Sequence, residues 1–333
     1  MNDLVARYFL FLAEAATLAL VVTGAIAALI AVSRRRSEDC GRLRVSDVGR
    51  RFAAAGDEIR SARLDKRTYR RLRGAGRHRR ARPETTKAPP CSYLLDFKGD
   101  IRASAVAALR EEISAVLEVA QPGDAVLVRL ESSGGLVNRY GLGAAQLLRI
   151  RDAQLPLTVM VDSVAASGGY LMAAVADTIV ASPFALVGSI GVVAQTPNFH
   201  RWLRARDIDW EQFTAGQYKR TVTLFGENTE TGRAKLREEL DDIHARFRAF
   251  VQARRPQLDV DKVATGETWL GSRALELGLV DQIATSDEII RAACRRGKVL
   301  HLSFQRKTRL AERVGRAAQA VWDGIWQPPQ PLR

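Results

Sequence analysis

Residues Pro156–Phe184 read PLTVMVDSVAASGGYLMAAVADTIVASPF. A β-branched, apolar run (LTVMV) ends at Asp162, a small-residue segment leads through Ser167 to Gly168 and Gly169, and GGYLMAAVA has helical composition. A second β-type run, TIVA, comes next. Strand, short helix and strand in so few residues predict parallel pairing, because a helix on a sheet face is the usual crossover between parallel strands. Further short apolar runs bounded by Gly, Pro, Asp or Ser lie outward of this stretch: YLLDF (93–97), AVLVRLES (125–132) and SIGVVA (189–194). Helical patterns over 102–120, 138–152 and 167–176 fall between them. A long amphipathic segment at 229–254 and shorter helices near 271–278 and 285–295 complete one α/β domain, 91–300.

Composition removes several function classes. Cys40, Cys91 and Cys294 are scattered and odd in number, and His78, His200, His244 and His301 have no paired spacing. Neither a disulfide framework nor a metal centre is expected, and no cofactor is implied. The net charge of +14 resembles that of a nucleic-acid binder, but residues 34–82 hold 18 Lys/Arg against 6 Asp/Glu. The basicity thus belongs to one stretch rather than to a folded face, and no nucleic acid is expected as a partner.

That stretch comes directly after an apolar one. Residues 15–32, AATLALVVTGAIAALIAV, carry no charge, and with the apolar run before Glu14 they are long enough to cross a bilayer core of about 30 Å. The run ends in Ser33-Arg34-Arg35-Arg36 rather than in a small-residue cleavage site, which predicts an uncleaved transmembrane anchor over 1–33. The basic flank places the carboxy-terminal part of the chain on the cytoplasmic side by the charge rule. Residues 34–90 read as a basic linker, helix-compatible around 47–73, that either lies on anionic lipid head groups or is a solvated spacer. The basic tail, 301–333, with Trp322 and Trp326, either lies on a membrane surface or packs as a terminal helix.

Two motifs suggest chemistry. In LESSGGLV (130–137), a strand running into Gly134-Gly135 can turn backbone N–H groups toward a ligand, as an oxyanion hole requires. Ser167 opens a helix, where free N–H groups and the helix dipole favour negative charge. It reads either as a nucleophile or as an ordinary N-cap. A serine nucleophile needs a base. His200, in NFHRWL, reads as a helix-start residue and no Ser-His-Asp order is recognisable. Lysine can serve when neutral, whereas arginine stays protonated. The chain holds 8 lysines against 43 arginines, and Lys219 is the first lysine after Lys98. Its surroundings, TAGQYKRTVTL, are also compatible with a plain surface charge.

Together these motifs carry a resemblance. LESSGGLV, residues 161–195 (VDSVAASGGYLMAAVADTIVASPFALVGSIGVVAQ), TAGQYKRTVTLFGENTETGR, LDFKGDI and VATGETWLGSRALELGLVDQIATSDEII are similar, in order and spacing, to the signal peptide peptidase A family of serine peptidases. The resemblance spans nearly the whole chain. It implies a crotonase/ClpP-like α/β peptidase domain behind one transmembrane helix. It also implies a Ser-Lys dyad: Ser167 as nucleophile, Lys219 as general base, Ser189 (in VGSIGV) orienting the lysine amine, and Gly135 and Gly168 as oxyanion-hole donors. Where the family often has Ser-Pro-Gly-Gly, this chain has Ser132-Ser133-Gly134-Gly135, which loses turn rigidity but no donor.

The implied protein is a membrane-anchored serine endopeptidase of the bacterial inner membrane, acting on membrane-associated peptides such as signal-peptide remnants or on misfolded proteins; the charge rule favours a cytoplasmic catalytic domain, whereas some family members work in the periplasm. Homo-oligomers are implied as well, with Ser167 and Lys219 from one protomer as the single-domain length suggests. Activity should fall at acidic pH, where an amine cannot accept a proton. Two rivals share the resemblance: a crotonase-like acyl-CoA enzyme using the Gly-Gly segment on a thioester, and a non-catalytic membrane scaffold partnering stomatin-like proteins. The first leaves Ser167 and Lys219 unexplained.

Overall fold

Strands buried on both faces lose the apolar/polar alternation and read as continuous runs of Val, Ile and Leu, which is the texture of the central sheet here. The computed structural model describes residues 17, 41–65, 67–69 and 90–306. Two units partition the chain: Arg44–Ser303, and Met1–Leu43 with Phe304–Arg333. Of the second unit the described residues are Thr17, in a helix, and short strand ends. In chain order the elements are β1 (Gly41–Asp47), α1 (Val48–Arg63), β2 (Cys91–Lys98), α2 (Val106–Val119), β3 (Ala125–Glu131), α3 (Val137–Asp152), β4 (Leu157–Val161), β5 (Val164–Ala166) and α4 (Gly168–Ala173). After these come β6 (Thr178–Ala181), β7 (Leu186–Gly188), α5 (His200–Arg204), α6 (Glu230–Arg254), α7 (Val260–Val263), β8 (Thr268–Leu270), α8 (Gly271–Glu276), β9 (Gln282–Ile283), α9 (Ser286–Arg296) and β10 (Lys298–Arg306).

Seven strands form one sheet in the order β1-β10-β2-β3-β4-β6-β9, and β10/β2, β2/β3, β3/β4, β4/β6 and β6/β9 all pair in parallel. One face is covered by α1 and α9: Val48, Ile290 and Ala293 pack with Leu94, Leu127, Met160, Val180 and Val299. On the other face α3 lies over β2, with the Tyr140 ring edge-on to Phe97 at 6.4 Å, and α3 packs against α2 and α4. Burying each such Leu, Ile or Phe side chain stabilises the fold by about 1.5–3 kcal/mol. The expected mixed α/β domain is therefore what forms.

Three stretches bear on the sequence expectations. Within the segment read as a basic linker, helix-compatible around 47–73, residues 41–47 form a strand and 48–63 a helix capped by Asp47, whose Oδ1 accepts the Arg50 N–H at 2.9 Å. Val48 is 1% exposed, so this helix contributes to the core. SIGVVA forms no strand; the strand is instead Leu186–Gly188, just before it. The physical reason is that Gly188 (φ 113°) and Ser189 (φ 52°) are left-handed, which turns the chain out of the ladder. The last strand runs six residues past the expected domain end at 300. Among the described residues no helix is long and apolar enough to cross a membrane; the expected anchor at 1–33 falls outside them apart from Thr17.

A second sheet has three strands in the order β5-β7-β8. Its β5 and β7 are parallel, with Ala166 opposite Gly188, so the next residues of each, Ser167 and Ser189, leave the sheet side by side. β8 runs antiparallel to β7.

Candidate active site

Ser167 takes φ 53° and ψ −121° at the start of α4, and its side chain caps no helix N–H. An L-residue with a Cβ pays about 1–3 kcal/mol to sit in such a region. The ordinary N-cap would instead have extended backbone and a committed oxygen. Backbone bonds hold the residue there: the Ser167 N–H donates to the Gly188 carbonyl at 2.8 Å and its carbonyl accepts from Leu171 at 2.9 Å. Among the described residues the Oγ caps no helix N–H, and Ser167 lines a cavity at the end of β5.

The loop after β3 is tied to the same strand. Ser132 bridges Ala165 in parallel: its N–H donates to the Val164 carbonyl at 2.8 Å, and its carbonyl accepts from Ala166 at 2.9 Å. This brings Gly134 (φ 91°) against the serine, where an added Cβ would lie 2.7 Å from Ser167 Cβ and 2.9 Å from Gly168 N. Within the loop the Gly134 N–H donates to Ser132 Oγ at 3.0 Å and the Leu136 N–H to the Ile101 carbonyl at 2.8 Å. Among the described residues, the N–H groups of Gly135 and Gly168 have no protein acceptor. Both glycines line one cavity with Ser167.

That cavity has a volume of about 320 Å³, and its far wall is α6, which contributes Ile243, Phe247 and Phe250. Their spacing puts them on one helix face. Leu171 and Val192 add to an apolar lining, suited to an extended peptide's apolar side chain.

The structure brings together Ser167, Ser189, Gly135 and Gly168. Ser189 comes right after Gly188, its N–H donating to the Glu267 carbonyl at 2.6 Å. Lys219 is not brought to them: it is exposed on the loop between α5 and α6 and does not line the cavity. The backbone of Lys219 closes a turn onto Gly216 at 3.1 Å. His200 begins α5, as its sequence context suggested. Among the described residues no group of His, Cys, Asp or Glu is arranged to hold a metal ion. Sequence reasoning missed the Phe247/Phe250 wall, whose i, i+4, i+7 spacing from Ile243 in the long helix was its available signal. It also gave no separate role to Ser132, which stood in the LESSGGLV motif, and passed over Tyr140, which had no signal of its own.

Crowding at Gly134 gives a direct check on this geometry. Gly123 (φ 99°) has open space around its Cβ position, so Gly123→Ala meets only the left-handed backbone cost of about 1–2 kcal/mol. Gly134→Ala should cost about 1–3 kcal/mol more, from overpacking against Ser167, and should also lose activity. Thermal melts of the two variants, side by side, measure the difference.

The family model described as "Peptidase family S49" matches residues 149–299, and "Peptidase family S49 N-terminal" matches residues 3–147. The chain is 43% identical over 332 residues to "Probable protease SohB" of Haemophilus influenzae, covering 96% of this chain and 94% of that one. It is 52% identical over 221 residues to "Probable protease SohB" of Buchnera aphidicola subsp. Acyrthosiphon pisum, 66% of each chain. A solved membrane-bound stomatin-specific protease covers 62% of this chain and 85% of its own at 14% identity, with a TM-score of 0.40.

Proposed function

Since the chain belongs to peptidase family S49 and is a serine protease, we propose that it is a membrane-anchored endopeptidase with Ser167 as nucleophile and Lys219 as general base. In this reading Ser189 orients the lysine amine, and the N–H groups of Gly135 and Gly168 hold the oxyanion. The observation that carries it is the Ser167 conformation: a strained backbone places Ser167, its Oγ capping no helix N–H, on a cavity where two backbone N–H groups lack acceptors among the described residues.

The neutral Lys219 amine takes the Ser167 proton as Oγ attacks the peptide carbonyl carbon. The carbonyl oxygen becomes an oxyanion between the two glycine N–H groups, each such donor worth about 3–4 kcal/mol of transition-state stabilisation. The lysine ammonium passes its proton to the leaving amine, and water then attacks the acyl-enzyme by the same route in reverse. Lys219 stands on an exposed loop, so the dyad is complete only once that loop is seated. Trp202, Trp210 and Phe213, exposed in the same part of the chain, would be buried by assembly into a homo-oligomer, which supplies a driving force for seating.

The apolar cavity favours substrates with apolar side chains at the cut, as membrane-associated peptides and misfolded proteins have. The apolar run at 15–32 and the basic stretch after it fit anchoring in a bacterial inner membrane, with the peptidase domain on the cytoplasmic side by the charge rule. The test uses the full chain in detergent, offered unfolded casein and an apolar peptide ester. Cleavage of both is expected, with rapid acylation ahead of turnover and the acyl adduct mapped by mass spectrometry to Ser167. An active chain whose adduct mapped elsewhere would sink the assignment.

A further inference from the structure

Ser132 and Tyr140 are both buried beneath the glycine loop, and Tyr140 also contributes to the cavity lining. The Tyr140 hydroxyl donates to the Asp100 carbonyl at 2.8 Å. A tyrosine has one proton to donate, so the 2.6 Å contact between Ser132 Oγ and Tyr140 Oη must be donated by the serine. Ser132 Oγ in turn accepts the Gly134 N–H at 3.0 Å. The directions are therefore fixed along one chain: Gly134 N–H to Ser132 hydroxyl, to Tyr140 hydroxyl, to Asp100 carbonyl.

The chain ends in the turn after β2, whose next carbonyl, that of Ile101, accepts the Leu136 N–H at 2.8 Å. The peptide planes on either side of the one carrying the Gly135 N–H are thus both held, one by Ser132 and one by Ile101. The ring of Tyr140 also supports the second donor: a Cβ added to Gly168 would lie 2.4 Å from Tyr140 Cγ. Burial raises the hydroxyl's pKa above the ordinary tyrosine value, so the group stays a donor across the working pH range.

We infer that Tyr140, acting through Ser132, is a positioning residue that aims the Gly135 N–H at the oxyanion of the acyl-transfer step. This rests on Gly135 and Gly168 being the oxyanion-hole donors. Tyr140→Phe keeps the ring against Phe97 and Gly168 but cuts the chain at its middle. Hydrogen bonds linked in series polarise and orient one another, so removing either hydroxyl frees the same loop.

The experiment compares the full chain in detergent with Tyr140→Phe, Ser132→Ala and the double variant, measuring kcat and KM on an apolar peptide and the inhibition constant of a peptide aldehyde, which forms a tetrahedral adduct with the serine. Each single variant should lower kcat about 10- to 100-fold, the scale for a displaced donor, with KM within about twofold. Aldehyde affinity should fall in step with kcat/KM, because both report the tetrahedral geometry. The double variant should be no worse than the weaker single one, since the two hydroxyls act in series.

An unchanged kcat in Tyr140→Phe and Ser132→Ala would overturn the inference. So would losses that multiply in the double variant, or a lowered melting temperature with aldehyde affinity intact, which is the mark of a purely structural role. If Tyr140→Phe fails to fold, Ser132→Ala decides between these outcomes alone. Ser167→Ala is measured beside them: activity persisting there would refute the site itself, whereas an inert Ser167→Ala beside an unimpaired Tyr140→Phe refutes only the positioning role.

Discussion

Replacing Ser167 with alanine should lower kcat by about four to six powers of ten, as loss of an activated serine does in other peptidases, and should leave stability essentially unchanged. The second half of the result is as informative as the first. If Ser167 were an ordinary cap, its removal would cost about 1 kcal/mol, because a helix N–H would lose its acceptor. Here the Oγ accepts no helix N–H, and alanine pays the same left-handed backbone cost as serine. Activity on unfolded casein and a thermal melt of the full chain read both quantities. An active variant that melts earlier would restore the capping role and remove Ser167 from the chemistry.

Lys219→Arg should be as inert as Lys219→Ala, with kcat down by about 10²–10⁴-fold, the usual contribution of a positioned acid–base group. Arginine keeps the positive charge and a long side chain but stays protonated, so this substitution separates a base from a charge. Lys219 is exposed, and neither change should move stability by more than about 0.5 kcal/mol. Small primary amines added at alkaline pH should partly restore Lys219→Ala and leave Ser167→Ala inert. Retained activity in Lys219→Arg would show that the residue supplies only charge, and the base would then have to be sought on the other groups that approach Ser167.

The central sheet was legible because parallel strands buried on both faces leave unbroken apolar runs, as in AVLVRLES and LTVMV, and because the helices between them have strong period. Short strands escaped: Val164–Ala166 and Thr268–Leu270 are three residues each and carry no periodicity, and their places are set by tertiary pairing. The left-handed backbone at Ser167 and Ser189 was equally hidden, since a non-glycine residue announces nothing of its φ. That is why the sequence could place a serine before a helix but not decide whether it capped the helix. The charge-rich segment before Pro90 read as linker because arginine dominated its composition, while the pairing of Gly41–Asp47 beside β10 and the single buried apolar residue of the helix, Val48, hold its described part to the domain. The grouping of Ser167 with Gly135, Gly168 and Ser189 came from the resemblance to the peptidase family, not from any local pattern. The hydroxyl chain beneath them depends on contacts between residues 100, 132 and 140, which no local pattern encodes.

The first strand and helix also bear on how the proposed anchored enzyme would respond to cleavage of its amino-terminal segment. A chain beginning at Gly41 would keep every described strand of the seven-stranded sheet. A cut after Arg63 would instead carry away β1 and α1, baring the outer edge of β10 and taking Val48 from its cluster with Leu94 and Val299. An unpaired sheet edge is a template for association with other chains. The position of a cut in the amino-terminal segment therefore decides whether the sheet keeps its outer strand, with no change to any residue near Ser167.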